Sequence, residues 1–356
     1  MSHTFPHTIF SGIHHGGHVQ GIAIDEARGH VYFSFTTELV KTDYAGNLLG
    51  TVKGLAGHLG CIVFDPEGRR VIGSLELKHD AIGKGIVSRT GRELADEDAF
   101  YLVSFGVDAI DRVNMDAETD GIMKAVWLKE VVDDYNALDE VSGQCHRYGC
   151  SGIDGTALGP VFGADPESPQ KIMVAYGIYS DVSREDNDHQ VILSYSPDIF
   201  DKYGRSLNQD APHHNGPDAP DAKYFFYTGN TTYGVQNLEY DPFTRTWLTA
   251  VYTGKKATFP NYPMFLIDGK IPPALSPLKG RNGEMGLTLT PARLGPMPDE
   301  PTPGCHFPLG STGIYAFGNG TYAFSVHGRE ENGFTSTVVR YRLNTDEPLL
   351  FIETGI

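Results

Sequence analysis

An all-β fold, a β-propeller of five four-stranded blades, is what the sequence predicts, and three observations predict it. A weak internal repeat returns about five times along the chain. Each repeat opens with two short β-rich strands joined by a tight turn. No long stretch carries the 3.6-residue apolar period of an amphipathic helix.

The repeat is clearest near the N-terminus. Residues 18–25 read HVQGIAID, followed by the turn EARG and the strand HVYFSF. Residues 58–65 read HLGCIVFD, then PEGR and RVIGSL. Residues 234–241 read GVQNLEYD, then PFTR and WLTAVY. Weaker copies are GIDGTALG at 152–159 leading to KIMVAYG, and GSTGIYAF at 310–317 leading to TYAFSVH. Asp25, Asp65 and Asp241 suit the turns because a short carboxylate can accept from backbone N–H groups two residues on.

A third strand follows in each unit: LVKTD, AFYLVSF, QVILSY, YPMFLID and STVVRYRL. A fourth is readable as LLGTVKG at 48, MKAVWLKEV at 123, KYFFYTG at 223 and MGLTLTP at 285. Residues 77–99, 129–149, 198–222 and 270–309 are rich in Pro, Gly, Asp and Asn and read as loops, with one short helix at 129–138. A sixth blade stays open if 198–222 or 270–309 hides further strands. HTIFSGI at the N-terminus is placed to complete the last blade and close the ring by pairing of terminal strands; LLFIET at 349–354 competes for that place. A two-sheet sandwich accounts for the strands but not for the repeat.

The pattern G-h-x-h-D, turn, strand, then h-x-K-x-D-x-x-G-x-h in residues 21–53 resembles the blades of NHL-type and related β-propeller proteins. The resemblance implies the fold. Such propellers serve as enzymes, ligand binders and scaffolds alike, and it implies no functional residue.

A chain of 356 residues exceeds the usual domain, yet all-β barrels and propellers often reach that size as one, so we expect a single domain over 1–356. The net charge of −17, with Lys and Arg scattered, argues against a nucleic-acid partner. No apolar run approaches the length of a membrane-spanning helix. No basic-then-apolar leader opens the chain, and four cysteines are too few to staple it, so a reducing, cytoplasmic setting is expected.

In a propeller the loops entering the innermost strands, and those following the second strands, share one face. The first set carries His14, His15, His18, His58, Cys145, His146, Cys150, Cys305 and His306. The second carries Glu76, Lys78, His79, Asp80, Tyr179, Asp181, Lys255, Lys256, His327, Arg329 and Glu330. Most of the 14 histidines therefore gather at one end. The repeat aligns His18 with His58, and Gln20 with Asp154, Gln236 and Thr312; two-residue spacing puts His18 and Gln20 on one side of their strand.

Imidazoles and amides such as His18, His58, Gln20 and Gln236 suit one divalent transition ion, whose bound water is a nucleophile near neutral pH. Alternatively, histidine itself moves the proton, with Glu76, Asp154 or His327 as general acid or base. Calcium would instead favour Asp154, Glu76, Gln236 and carbonyls. Channel-lining polar groups also serve simply to bond one another, and Glu76 equally suits a salt bridge with a nearby Lys. Cys145 and Cys150 lack a common zinc spacing and read as two buried thiols. Tyr179, Tyr233 and Tyr262, with Lys255 in TGKKATFPNYP, suit an anionic sugar or carboxylate.

No Gly-rich phosphate loop, dinucleotide fingerprint, G-x-S-x-G or H-E-x-x-H occurs. The leading expectation is a hydrolase or lyase acting on a small polar, sugar-like metabolite, a carbohydrate or lactone. The alternative is a non-catalytic propeller binding a ligand or protein partner through the same face.

Overall fold

A computed structural model describes residues 4–140, 143–346 and 348–355. Five sheets, antiparallel apart from two edge pairings, stand in a ring. Their innermost strands are Val19–Asp25, His58–Asp65, Cys150–Pro160, Thr231–Asp241 and Ile314–Ala316, each in contact with the next and the last with the first. The protein is a five-bladed β-propeller.

Each blade runs outward as the repeat predicts. Blade 1 continues through His30–Phe35, Glu38–Asp43 and Leu48–Lys53, and blade 2 through Arg70–Leu77, Ala99–Gly106 and Met123–Trp127. Blade 3 continues through Gln170–Ile178, His189–Tyr195 and Ala222–Tyr227, and blade 4 through Thr246–Thr253, Met264–Asp268 and Gly304–Cys305. Blade 5 adds Thr321–Glu330, Gly333–Leu343 and, from the N-terminus, Thr8–Phe10. The predicted turn carboxylates cap their turns: Asp65 Oδ1 accepts from Glu67 N and Gly68 N, and Asp241 from Phe243 N and Thr244 N.

Both terminal strands close the ring. Thr8–Phe10 pairs with Thr337–Val339, while Phe351–Glu353 pairs farther along the same edge with Tyr341–Leu343. The two candidates divide that edge between them.

Two expectations about elements are corrected. MGLT at 285–288 is not the fourth strand of blade 4: it pairs in parallel with Ala222–Tyr227 on the edge of blade 3, and Gly304–Cys305 takes the place expected for it. Residues 77–99 are not all loop. They contain α1 (Ala81–Thr90), capped by Asp80, whose carboxylate accepts from Ile82 N and Gly83 N, and ended by Gly91 at φ +68°. The short helix foreseen at 129–138 is α2 (Lys129–Asn136).

The core is a ring of clusters, each shared by two neighbouring blades. One cluster joins Tyr32 and Leu39 of blade 1 to Leu75 and Tyr101 of blade 2. The next joins Ile72 and Leu102 to Ile153 and Val174 of blade 3, and another joins Met173 and Phe226 to Trp247 and Phe265 of blade 4. Leu248 and Met264 meet Phe324 of blade 5, and Ile9 with Val338 meets Phe33 of blade 1. Each blade buries both faces against others.

Candidate functional site

The innermost strands begin at the predicted end of the channel, and there most of them depart from regular pairing. The ladder of blade 1 slips between Val19 and Gly21, leaving Gln20 as the extra residue. It slips between Ile153 and Thr156 in blade 3, around Asp154, and in blade 4 on both sides of Val235, around Tyr233 and Gln236. A bulged residue is freed from the ladder and its side chain can be re-aimed. The aligned repeat position thus becomes a ring of bulges delivering Gln20, Asp154 and Gln236 into one pocket.

That pocket has a volume of about 400 Å³. His18, Gln20, His58, Glu76, Asp154, Tyr233 and Gln236 all line it, from four blades. His327 stands beside it, its ring stacked on His18 with centroids 3.9 Å apart. Three other predicted residues are not among its lining. Tyr179 donates to Asp80 Oδ2 (3.3 Å) and so braces the cap of α1. Lys255 lines a different cleft with Phe259 and Lys279. Tyr262 is only 7% exposed, packs between blades 3 and 4, and bonds Glu300. The expectation of two buried thiols also fails in part, since Cys150 is buried and Cys145 is exposed.

The floor is a charged cluster held by backbone contacts. Glu76 Oε1 accepts from Ile153 N (2.6 Å), and its Oε2 meets Lys78 Nζ at 2.9 Å and His58 Nδ1 at 3.6 Å. Lys78 also donates to the Ser151 carbonyl (2.6 Å) and faces Asp80 at 3.4 Å. Space for these carboxylates comes from missing side chains. A Cβ on Gly152, which sits at φ +122°, would lie 1.8 Å from Glu76 Oε1, and one on Gly60 would lie 2.5 Å from Asp154 Oδ1.

Burial sets the protonation states. Asp154 is pushed up to about 7 by desolvation, with the Glu76 charge adding to the shift and His58 opposing it. Desolvation pulls His58 down, but the Glu76 carboxylate facing it and the charge of Asp154 prevail, and it ends raised. Lys78 likewise ends raised, as Glu76 and Asp80 outweigh its burial. His18 falls to about 4 through burial and then the neighbouring His327, so it is neutral at physiological pH. His327 is lowered by burial and Arg329.

Not every polar atom here is satisfied. His58 Nδ1, Asp154 Oδ1 and His327 Nδ1 are buried with no hydrogen-bond partner. His58 and Asp154 are 9% and 8% exposed. An orphaned buried polar atom costs about 1–3 kcal/mol, which a bound ligand can restore. As for the expected ion, the Gln20 amide donates to Thr36 Oγ1 and the Gln236 amide to the Tyr233 carbonyl. Among the described residues, no group of three or more His, Cys, Asp or Glu side chains is arranged to hold a metal.

α1, absent from the sequence reading, supplies the remaining wall: Ala81, Ile82, Gly85, Ile86 and Arg89. Gly83 lets it settle, since a Cβ there would strike the Lys78 carbonyl at 1.6 Å. The available signal was Asp80 and Gly91 bracketing ten residues. Phe334 of blade 5 completes the apolar side.

Fold and site together define a five-bladed β-propeller with a polar pocket at one end of its channel. No family model matches the chain, and no curated protein matches it. Among solved structures it is similar to the holo PQQ domain of pyranose dehydrogenase from Coprinopsis cinerea, at 10% identity and TM-score 0.38, over 90% of this chain and 81% of that one. It is also similar to the WD40 domain of Neurospora crassa Pan2, at 9% identity and TM-score 0.31, over 90% and 74%. Likenesses this distant bear on neither substrate nor site.

Proposed function

We propose that the protein is an enzyme, a hydrolase or lyase, acting on a small polar metabolite of the sugar or lactone kind by proton transfer in this pocket. The observation that supports it is the pairing of two buried titratable groups on the pocket lining: Asp154, whose Oδ1 has no hydrogen-bond partner, and His58, whose Nδ1 faces Glu76. Asp154, titrating near neutrality, takes a proton from water or from a carbon beside a carbonyl. His58, held protonated by Glu76 and Asp154, gives one to the leaving oxygen. Acid–base groups work best with pKa values near the operating pH. Glu76 is a positioning residue: with Nδ1 turned to its carboxylate, the His58 ring presents Nε2 to the cavity it lines.

The test is turnover of a panel of sugar lactones and hydroxy-acids, followed by NMR, with wild type, Asp154→Asn and His58→Gln. Each variant should fold and lose about 10²–10⁴-fold in rate. The wild-type rate should climb with pH through about 7, and Asp154→Asn should lack that limb. Full activity in either variant would remove the assignment. Binding without turnover in wild type would leave a ligand-binding propeller.

A further inference from the structure

The pocket has one charged wall that its acid–base chemistry does not use. Arg89, near the end of α1, lines the cavity and has no carboxylate partner among the described residues. Other pocket charges are spoken for: Lys78 is spent on Glu76 and Asp80, and Glu76 on Lys78 and the Ile153 amide. Most arginines of this acidic chain, including Arg69, Arg70, Arg92, Arg184 and Arg281, sit in ion pairs.

Space is left for Arg89 by a glycine. Gly17, at φ +99°, lies directly beneath the guanidinium: a Cβ there would stand 2.7–2.9 Å from Nη1, Cζ and Nη2. The backbone next to His18, whose ring stacks on His327, therefore leaves room for the planar fork. On that flank Arg329 lies over the ring of Phe334, 5.7 Å from its centroid. A fixed fork of N–H donors is matched by a planar carboxylate, which it can bind through two parallel hydrogen bonds.

We infer that the pocket selects a carboxylate-bearing metabolite, a sugar acid or hydroxy-acid, with Arg89 clamping the carboxylate at the rim while the rest of the molecule descends to His58 and Asp154. This rests on the acid–base reading of the floor and adds the substrate class. The orphaned Asp154 Oδ1, on a residue only 8% exposed that lines the cavity, is the second observation pointing to a ligand. A carboxylate is favoured over a phosphate because, among the described lining residues, Arg89 is the one cation without a carboxylate beside it, next to a neutral His18, and one positive charge matches one negative charge better than two. Burial disfavours the charged form of Arg89, and a bound anion would offset that.

Calorimetric titration of matched probes tests it: D-glucuronate against D-glucose, D-galacturonate against D-galactose, D-gluconate against D-sorbitol, with glucose 6-phosphate as the phosphate arm. Wild type should bind at least one carboxylate ten times more tightly than its neutral counterpart. Arg89→Gln, at an exposed position without an ion pair, should fold and erase the preference; Arg89→Lys, keeping charge without the fork, should restore part of it. Equal binding of the neutral sugars, a preference that survives Arg89→Gln, binding of the phosphate alone, or no binding of any carboxylate overturns the proposal. The two readings fail separately. Carboxylate binding that depends on Arg89 but leads to no turnover removes the enzyme and keeps the clamp. Turnover of a neutral lactone that is indifferent to Arg89→Gln does the reverse.

Discussion

Asp154 is costly where it stands, and the cost has a measurable sign. Its carboxyl is held at about 7 in the folded protein against 3.8 ordinarily, through desolvation first and Glu76 second. A raised folded pKa means the native state holds a proton that the unfolded chain has given up. That contribution to stability is full below about pH 4 and is lost as pH rises through 7. Asp154→Asn, which cannot ionise, escapes the loss. The variant should therefore melt higher than wild type at pH 8, with the gap narrowing at pH 5, even as it loses activity. Thermal unfolding at the two pH values checks this, and an equal gap at both would mean that Asp154 is not desolvated in solution. Stability given up at one carboxylate accords with the proposed role of Asp154 as a base.

At the scale of elements, what the sequence showed and what it hid have separate physical causes. Strands that belong to the repeat were legible because alternation, turn carboxylates and β-rich composition all agreed, as in 18–35 and 58–77. The alignment of Gln20 with Asp154 and Gln236 was legible as a position whose side chains line one pocket, since bulges recur where the repeat recurs. Elements outside the repeat were hidden. Gly304–Cys305 is two residues long and carries no period, and Met285–Thr288 finds its partner in another blade, a choice set by tertiary contact. α1 was hidden by Gly83 and Gly85, which weaken helix propensity, although Gly83 is what lets it pack on Lys78. Arg89 was missed with it. Tyr262 failed as a ligand contact because an aromatic beside proline reads as loop when its ring is in fact core. Closure by Thr8–Phe10 was readable, and it carries a prediction. Ile9 is 2% exposed between blades 5 and 1. Ile9→Ala should destabilise by about 2 kcal/mol or more, as large-to-small changes in a core do. Urea titration measures it; a change within error would show that the terminal strand does not help to hold the ring.

For the whole molecule, the arrangement of the core bears on how it comes apart. A stack of repeats with free ends can lose its terminal units first, because each contacts only its neighbours. Here there is no free end. Every cluster spans two blades, the fifth joins blade 5 to blade 1, and the N-terminal strand lies in blade 5. Releasing any blade exposes two apolar interfaces together, so partial unfolding is disfavoured and the ring should behave as one domain. The chain's two tryptophans are suited to reporting on this, since Trp127 lies on the outer strand of blade 2 and Trp247 in the core of blade 4. Trp127→Phe and Trp247→Phe each leave a single probe in a different blade. Urea unfolding followed by fluorescence in both variants, corrected for their own stability changes, should coincide with the loss of far-ultraviolet circular dichroism in a single transition. Separate midpoints, with blade 2 releasing before blade 4, would mean that α1 and the pocket wall on blade 2 belong to a region that opens on its own. Access to the pocket would then be set by local unfolding of that side. Coincidence would mean that a ligand enters the pocket without local unfolding.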